Sequence, residues 1–277
     1  MKYVSKVTEN LKGFEFPVSD YKGEGLFLAP SDYALFGVEE PTRAPVVGIV
    51  MEVVGENYFC PWDVVQSIAH LGSRIKFLPT AEENVQEAEV LYTGGEIQTR
   101  YRMTDLRAVV IPDGKWVIPN KFFSDYKDQQ ETIDKQTAVA LQCLMEARAH
   151  GIPVLALGRG SLLLAGFYGL TLYRDASLIE TPFKHESCWH DVILNKRMAF
   201  QRLVKKDLLN VISQHKEFIA PESLQAKKHL KIYGCSRDGM PEVFGLIGQG
   251  ILGVLWDSAA MAVMGDKAQK AIFGFIK

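Results

Sequence analysis

A sharp corner between a strand and a helix is predicted within residues 151–175, GIPVLALGRGSLLLAGFYGLTLYRD. Many hydrolases carry their nucleophile on such a corner, because the turn exposes the side chain at its apex. The expected apex here is Gly158, which has no side chain that could react. Glycine adopts the strained backbone of such a turn at least cost, so the turn itself is expected to persist. The sequence therefore raises the question of whether the chain catalyses a reaction at all.

The other candidate nucleophiles have no evident base beside them. Ser161 lies one turn into the helix after the corner, where a serine hydroxyl usually bonds to the backbone. Cys143 falls inside the preceding helix, next to its apolar face. Cys188 lies two residues before His190, with His185 nearby, which leaves open a thiol–imidazole pair or a metal site. We expect neither, because the pair would also need an orienting carboxylate, and we predict no metal site.

The elements that must hold the corner alternate between strand and helix. The sequence predicts buried strands at 45–54, 75–78, 107–112, 154–157, 191–194 and 253–256, and helices at 61–71, 134–150, 161–167, 199–213 and 268–277. Two further strands, 230–235 and 242–245, flank a turn. This alternation predicts an α/β fold with a doubly wound, mostly parallel sheet and helices on both faces. Ligand sites in such folds lie beyond the carboxyl ends of the strands.

Two regions fall outside this pattern. Residues 1–44 precede the first strand and hold too many large apolar side chains for a free tail. We expect this extension to pack on the domain formed by 45–277, or on a partner. Insertions are predicted near 81–105, where Gly94-Gly95 has the pattern of a hairpin turn, and near 195–210.

Composition narrows the classes of function. The chain has 277 residues and a formal net charge of -2, which gives no electrostatic reason to expect nucleic acid or a membrane surface as partner. Its four cysteines are scattered without C-x-x-C pairs, so no disulfide framework or zinc motif is predicted. No signal peptide or transmembrane segment is evident, and we expect a cytoplasmic protein, with export by a route without a cleaved signal left open.

The corner segment resembles a known family almost position for position. It is similar to G-I-P-V-L-G-I-C-R-G-x-Q-L-L-N-x-x-x-G-G-T-L-Y-Q-D of the class I glutamine amidotransferase-like proteins. The closest branch is that of the gamma-glutamyl hydrolases and gamma-glutamyl-GABA hydrolases, peptidase C26. Further matches follow in the family's order: PVVGI from residue 45, IKFLP from 75, VVIPDG from 109, HDVIL from 190, ISQH from 212, CSRDGMPEV from 235 and GVLWDSA from 253. The resemblance covers 45–277 and implies a flavodoxin-like fold.

The same resemblance implies that the catalytic residues are lost. The family's nucleophilic cysteine falls at Gly158, its histidine at Asp257 and its orienting glutamate at Ala259. Asp113-Gly114 stands where the family has the Gly-Gly that supplies an oxyanion amide. Loss of one triad member alone costs on the order of a million-fold in rate. The resemblance therefore does not support amide or gamma-glutamyl hydrolysis by the family's mechanism.

A binding role is the function that we expect. His190 and His215 match positions that line the family's substrate site, with their bonding to backbone as the alternative interpretation. Polar groups of this cleft are expected to hold a small carboxylate or amide ligand: Asp113, Gly114, Arg159, Gly160, His190 and His215. We expect a catalytically inactive gamma-glutamyl hydrolase-like protein that binds a small molecule or a protein and needs no cofactor. The alternatives are a hydrolase of changed mechanism that uses Asp257, a histidine or a recruited metal, and a structural homo-oligomer.

Overall fold

A nine-stranded mixed sheet lies at the centre of the molecule. The computed structural model describes residues 25–28, 45–54, 57–78, 91–93, 96–98, 106–126, 133–175, 185–226 and 230–277. The strands are β1 (Gly25–Leu28), β2 (Val46–Val50), β3 (Glu52–Val54), β4 (Asn57–Pro61), β5 (Arg74–Leu78), β6 (Leu91–Thr93), β7 (Glu96–Gln98), β8 (Ala108–Ile111), β9 (Val154–Leu157), β10 (Leu172–Tyr173), β11 (Glu186–Leu194), β12 (Leu208–Gln214), β13 (Phe218–Ile219), β14 (Lys231–Ser236), β15 (Pro241–Leu246) and β16 (Ile251–Val254). The helices are α1 (Trp62–Ala69), α2 (Lys135–His150), α3 (Gly158–Phe167), α4 (Ala199–Val204), α5 (Pro221–Ala226), α6 (Ser258–Val263) and α7 (Lys267–Phe273).

The main sheet has the strand order β12-β11-β14-β15-β16-β9-β8-β2-β5. The strands from β16 to β5 pair in parallel, whereas β12, β11, β14, β15 and β16 pair antiparallel. The short strands β8 and β9 are buried along their whole length, as expected for parallel strands that are covered on both faces. The predicted α/β fold is confirmed, and its sheet is parallel in one half.

Helices cover both faces of this sheet. One core combines apolar residues of α1, α4, α6 and α7 with one set of strand side chains. The other core combines α2 and α3 with the alternate set. Val110 and Leu155 belong to the first core, and their neighbours Val109 and Val154 to the second, because successive side chains on a strand point to opposite faces.

The helix before the corner, α2, has clear signals at both ends. Asp134 caps it by accepting a hydrogen bond from the backbone N–H of Thr137 at 2.8 Å. Gly151 ends it in the left-handed conformation, with φ of +64°. The predicted helix at 134–150 is confirmed, and it leads directly into β9 and the corner.

The predicted helix at 199–213 is wrong in its second half. The helix α4 ends at Val204, and Lys205 has a left-handed φ of +56°. The chain then forms β12, an edge strand that pairs with β11. The residues of β12 alternate between buried and exposed, which is the period of two that is typical of a strand. The sequence prediction missed this period because it extended the basic, helix-like pattern of the preceding residues.

The predicted first strand, 45–54, divides at Met51. The part before Met51 is β2 of the main sheet, and the part after it is β3, which pairs with β4. The other edge of β4 pairs with β1, the described part of the predicted N-terminal extension. Residues 1–24 and 29–44 lie outside the described residues, so the division between 44 and 45 stays a prediction.

The predicted hairpin within 81–105 is confirmed by the antiparallel pairing of β6 with β7. Its central Gly94-Gly95 lies outside the described residues. None of the helices in the described part of the chain is long and apolar enough to cross a membrane.

Candidate functional site

The corner lies where β9 ends and α3 begins, at Gly158. Gly158 has φ of +49°, in the left-handed region that glycine adopts at least cost. A Cβ atom at this position would also collide with the side chain of Asp113, which follows β8. The predicted turn is therefore present, and its apex has no room for a larger side chain.

Asp113 occupies the space beside the apex. Its Oδ1 accepts hydrogen bonds from the backbone N–H of Arg159 at 2.7 Å and of Gly114 at 3.0 Å. The amide after the nucleophile is one of the two donors that stabilise the oxyanion at such corners. The amide of Gly114 stands at the position of the second donor by the resemblance given above. A carboxylate of the chain itself thus accepts hydrogen bonds from both amides that the resemblance assigns to the oxyanion site.

Asp257 and Ala259, to which the resemblance assigns the two other triad positions, lie at the start of α6. The Asp257 carboxylate caps this helix by accepting a hydrogen bond from the backbone N–H of Ala260 at 3.1 Å. Ala259 is buried and has no polar side-chain atom to orient a base. No proton-transfer pair can form from these two side chains.

Acidic groups accumulate beneath the corner instead. Burial and the nearby charge of Asp257 raise the pKa of Asp63, in the first turn of α1, to about 7. Burial also raises the pKa of Asp257, and the charge of Asp113 adds to this shift. The carboxyl groups of Asp63, Asp113 and Asp257 therefore interact electrostatically beside the corner.

The space beside the corner is an open cleft of about 630 Å³. Its walls carry charges of both signs, with Lys115, Arg159 and Arg174 opposed by Asp113, Glu217 and Asp257. Apolar side chains also line the cleft: Trp116, Val117, Ile118, Phe123 and Leu255. A cleft of this size and mixture suits a small polar molecule.

Both arginines of the cleft are held in place by other groups. Arg159 donates from Nε to the carbonyl of Trp116 at 2.6 Å and pairs with Glu217 through a short contact. Arg174 stacks over the ring of Phe123 at 4.0 Å and pairs with Asp125 at 3.0 Å. Such fixed guanidinium groups can orient a bound carboxylate with little loss of side-chain entropy.

A second group of polar side chains surrounds Glu242 on β15, which is completely buried. The distances to its Oε1 are 2.9 Å from His185 Nδ1, 3.4 Å from His215 Nε2 and 3.9 Å from His190 Nε2. We call these four residues the histidine–glutamate cluster. Other ring nitrogens have partners outside the cluster: His185 Nε2 lies 3.0 Å from an oxygen of Asp238, and His215 Nδ1 bonds to the carbonyl of Glu217 at 3.0 Å.

Glu242 and His185 favour each other's charged form, whereas burial lowers the pKa of His190 despite the nearby Glu242. Burial opposes the ionised form of Glu242, but His215, His185 and His190 outweigh it and lower the pKa of Glu242 well below its usual range. Burial likewise opposes the charged form of His185, but Asp238 and Glu242 outweigh it and raise the pKa of His185. The buried carboxylate is therefore held as an anion.

The remaining candidate nucleophiles have structural surroundings. Ser161 donates its hydroxyl hydrogen to the carbonyl of Gly158 at 2.7 Å, as the sequence predicted. Cys143 is buried, and burial raises the pKa of its thiol to about 12. Burial also raises the pKa of Cys188, with Glu242 adding to the shift, which disfavours the reactive thiolate.

The predicted ligand residues do not all lie in one cavity. Asp113, Gly114, Arg159 and His215 line the cleft. His190 instead lines a second cavity of about 300 Å³, together with His185. Gly160 lies inside α3, where a Cβ atom would meet the carbonyl oxygens of residues 111 and 112 at 2.7 and 2.5 Å, so it serves close packing.

Sequence reasoning assigned no role to Glu242 and Asp238. The available signal was a single carboxylate in the apolar run PEVFGL of β15, because a charged residue in a buried strand requires a partner. The partners are not predictable from spacing, since His185, His215 and Glu242 come from three separate strand ends or strands.

The family model of peptidase C26 matches residues 65–258 of this chain. A glutamine amidotransferase from Thermotoga maritima superposes with a TM-score of 0.56 and 14% identity, covering 85% of this chain and 97% of that chain. The glutaminase domain of Trypanosoma brucei CTPS, with bound acivicin, gives a TM-score of 0.56 and 13% identity, covering 84% of this chain and 92% of that chain. No curated protein matches this chain in sequence. These likenesses confirm the glutamine amidotransferase-like fold.

Proposed function

Because the chain belongs to the peptidase C26 family, we propose that it is a catalytically inactive, gamma-glutamyl hydrolase-like protein that binds a small ligand. The ligand carries carboxylate or amide groups, lies in the cleft beside Gly158 and is not hydrolysed. The observation that carries this proposal is the Asp113 carboxylate, which accepts hydrogen bonds from the amides of Gly114 and Arg159.

The loss of hydrolysis follows from three features that act together. Gly158 provides no nucleophile and Asp257 provides no imidazole. Asp113 accepts the hydrogen bonds of the two amides that would otherwise stabilise a negatively charged intermediate. Triad members act as a unit, so loss of the nucleophile alone lowers the rate on the order of a million-fold. The contribution of about a hundred- to a thousand-fold from an oxyanion donor is absent as well.

Binding is supported by the open cleft. Beside the Asp113 carboxylate the cleft keeps a volume of about 630 Å³, and its walls carry fixed charges of both signs. Arg159 and Arg174 are already held by acidic partners, so a ligand meets a preformed site. A molecule that bears both a cationic and an anionic group, as amino acids and gamma-glutamyl compounds do, matches this distribution of charge.

Two measurements on the purified chain test the proposal. Isothermal titration with glutamate, glutamine and a gamma-glutamyl dipeptide is expected to show binding of at least one of them, and product assays are expected to show no turnover. The exposed cleft residue Lys115 provides a variant: Lys115→Ala is expected to weaken carboxylate binding about tenfold. Lys267→Ala, which removes an exposed lysine from the first turn of α7, is the matched control.

Turnover at ordinary enzymatic rates would contradict the inactive state, and a cleft that binds none of these compounds would contradict the ligand class. The double variant Asp113→Gly/Gly158→Cys provides a stricter test of the inactive state. It clears the space and supplies a thiol, but hydrolysis is still not expected, because Asp257 cannot replace the imidazole. Rapid turnover by this variant would show that the base lies elsewhere.

A hydrolase of changed mechanism is the second candidate, and one observation favours it. Asp257 lies on the cleft, and the pKa of its carboxyl is raised above the usual range, as for a general acid or base. Its hydrogen bond from the backbone of Ala260 argues for a structural role instead. Slow hydrolysis that Asp257→Asn abolishes, in a variant that still binds ligand, would favour this candidate.

A further inference from the structure

We propose that the histidine–glutamate cluster of His185, His190, His215 and Glu242 binds a divalent transition-metal ion of the class that prefers imidazole ligands, such as Zn²⁺. This inference goes beyond the proposed function and does not depend on it. The cluster centres on Glu242, and two of its members line the smaller cavity rather than the cleft beside Gly158.

The spacing of the potential ligand atoms fits one metal ion. All of them lie within 4.8 Å of one another. Tetrahedral zinc sites have metal–nitrogen and metal–oxygen distances near 2.1 Å, which places neighbouring ligand atoms roughly 3.4 Å apart. The distances from Glu242 Oε1 to the nitrogens of His185, His215 and His190 are 2.9, 3.4 and 3.9 Å. Small side-chain rotations would bring these atoms around a common centre.

Four polar atoms of the cluster face one another without hydrogen bonds. They are His185 Nδ1, His215 Nε2 and both carboxylate oxygens of Glu242. The three residues that carry them are 2%, 6% and 0% exposed. Buried polar atoms are almost always hydrogen-bonded or bound to an ion, and the contact of 2.9 Å between His185 and Glu242 lacks hydrogen-bond geometry. A bound cation would satisfy all four atoms at once.

The outer partners orient two of the imidazoles toward the same point. Asp238 holds His185 through Nε2, which leaves Nδ1 directed at Glu242. The carbonyl of Glu217 holds His215 through Nδ1, which leaves Nε2 directed at Glu242. A carboxylate or carbonyl behind each histidine is the usual arrangement at metal sites, because it fixes the tautomer and raises ligand basicity.

His190 is the fourth ligand and the one that must move most. Its Nε2 lies 2.8 Å from the hydroxyl of Ser213, in addition to facing Glu242. The ring borders the cavity of about 300 Å³, which gives an ion a route to the cluster and leaves space for a water molecule or another ligand on it. The site therefore resembles an accessible metal centre more than a closed structural one.

The donor set determines the class of metal. Three imidazole nitrogens and one carboxylate oxygen suit zinc, iron, nickel and copper, whereas calcium and magnesium prefer oxygen ligands alone. The competing interpretation is a metal-free ion pair, in which protonated His185 neutralises Glu242. The experiment below separates the two.

The test uses the full chain, treated with a chelator that is then removed, and titrated with Zn²⁺ by calorimetry. We expect one ion per chain with micromolar or tighter affinity, and visible absorption typical of a four- or five-coordinate site when Co²⁺ replaces Zn²⁺. Glu242→Gln is expected to weaken zinc binding at least about a hundredfold, and Asp238→Asn about 10–100-fold. His190→Ala removes a half-buried ligand and provides a second variant if Glu242→Gln does not fold.

The matched control is His70→Ala, which removes an exposed imidazole at the end of α1, outside the cluster. Its zinc affinity is expected to equal that of the unaltered chain. A folded chain that binds no Zn²⁺, or that binds it equally well in Glu242→Gln and His190→Ala, would overturn the proposal and leave the ion pair of His185 with Glu242. Loss of binding in His70→Ala would likewise overturn it, by assigning the zinc to the surface.

Discussion

At the scale of single residues, Gly158 and Asp113 decide what the corner can do. The left-handed backbone at Gly158 disfavours residues other than glycine, and the Asp113 side chain would collide with their Cβ atom. The same carboxylate takes two backbone hydrogen bonds that would otherwise be free to hold an anion. The absence of a side chain at Gly158 and the position of the Asp113 carboxylate are therefore expected to depend on each other.

A double-mutant cycle tests this dependence. Gly158→Ala is expected to lower the free energy of unfolding by about 2–4 kcal/mol, because the left-handed backbone and the collision with Asp113 both act against it. In an Asp113→Gly background only the backbone effect remains, so the same change should cost about 1–2 kcal/mol. Denaturant unfolding of the four proteins measures the coupling.

Gly274→Ala is the control for this cycle, because Gly274 has a helical φ of -60° and open space around its Cβ position. It should change stability by no more than about 0.5 kcal/mol. An equal cost of Gly158→Ala in both backgrounds would show that Asp113 does not close the apex.

At the scale of elements, helix starts bring carboxyl groups together under the corner. Asp63 lies in the first turn of α1 and Asp257 caps α6, and these two helices pack side by side. Each carboxyl accepts a backbone hydrogen bond at its own helix, at 2.8 Å for Asp63 and 3.1 Å for Asp257. The local benefit of an acidic group at each helix start is thus opposed by repulsion between the two carboxylates.

This opposition predicts a pH dependence of stability. The pKa of Asp63 is about 7 in the folded chain, compared with about 4 for an unfolded aspartate. Between these values the folded state holds a proton that the unfolded state has lost, so stability falls as the pH rises from about 4 to 7. Asp63→Asn should remove this loss and be more stable than the unaltered chain at pH 8, but not at pH 4.

Thermal unfolding at the two pH values measures the effect. Asp207→Asn, which alters an exposed acid before β12, is the control and should show no such difference between the two pH values. A stability difference between Asp63→Asn and the unaltered chain that is the same at both pH values would contradict the raised pKa as its cause.

At the scale of the whole molecule, the sheet has an antiparallel half and a parallel half. The two halves meet at β16, which pairs antiparallel with β15 and parallel with β9. The antiparallel half carries the histidine–glutamate cluster, and the parallel half carries the corner. Phe244 of β15 lies opposite Gly253 of β16, and its ring occupies the space where a side chain of Gly253 would lie. The two halves therefore share one packed core across this junction.

Removal of that ring should weaken the whole molecule rather than one half. Phe244 is completely buried, so Phe244→Ala is expected to cost about 3–5 kcal/mol. Met264→Ala, at a residue that is 76% exposed, should cost less than about 0.5 kcal/mol. A single cooperative transition shifted to lower denaturant is expected, whereas separate transitions would show that the halves unfold independently.

The sequence by itself determined the parallel half of the fold and which residues stand at the positions where the resemblance places the triad. The buried runs of β8 and β9, the caps of α2 and the identities of Gly158, Asp257 and Ala259 are local signals, and each can be interpreted without knowledge of distant residues. The wrong prediction of a helix over 199–213 also had a local cause, because the basic, amphipathic pattern of α4 was extended into the residues that form β12.

Only the tertiary structure decided which side chains meet. The contact of Asp113 with the apex joins residues that are 45 positions apart, and Glu242 meets histidines from two other strand ends. Sequence spacing specifies neighbours along one helix or strand, whereas contacts between elements depend on the order and register of the sheet. For this reason the glycine at the apex could be predicted, while the Asp113 carboxylate beside it and the cluster around Glu242 could not.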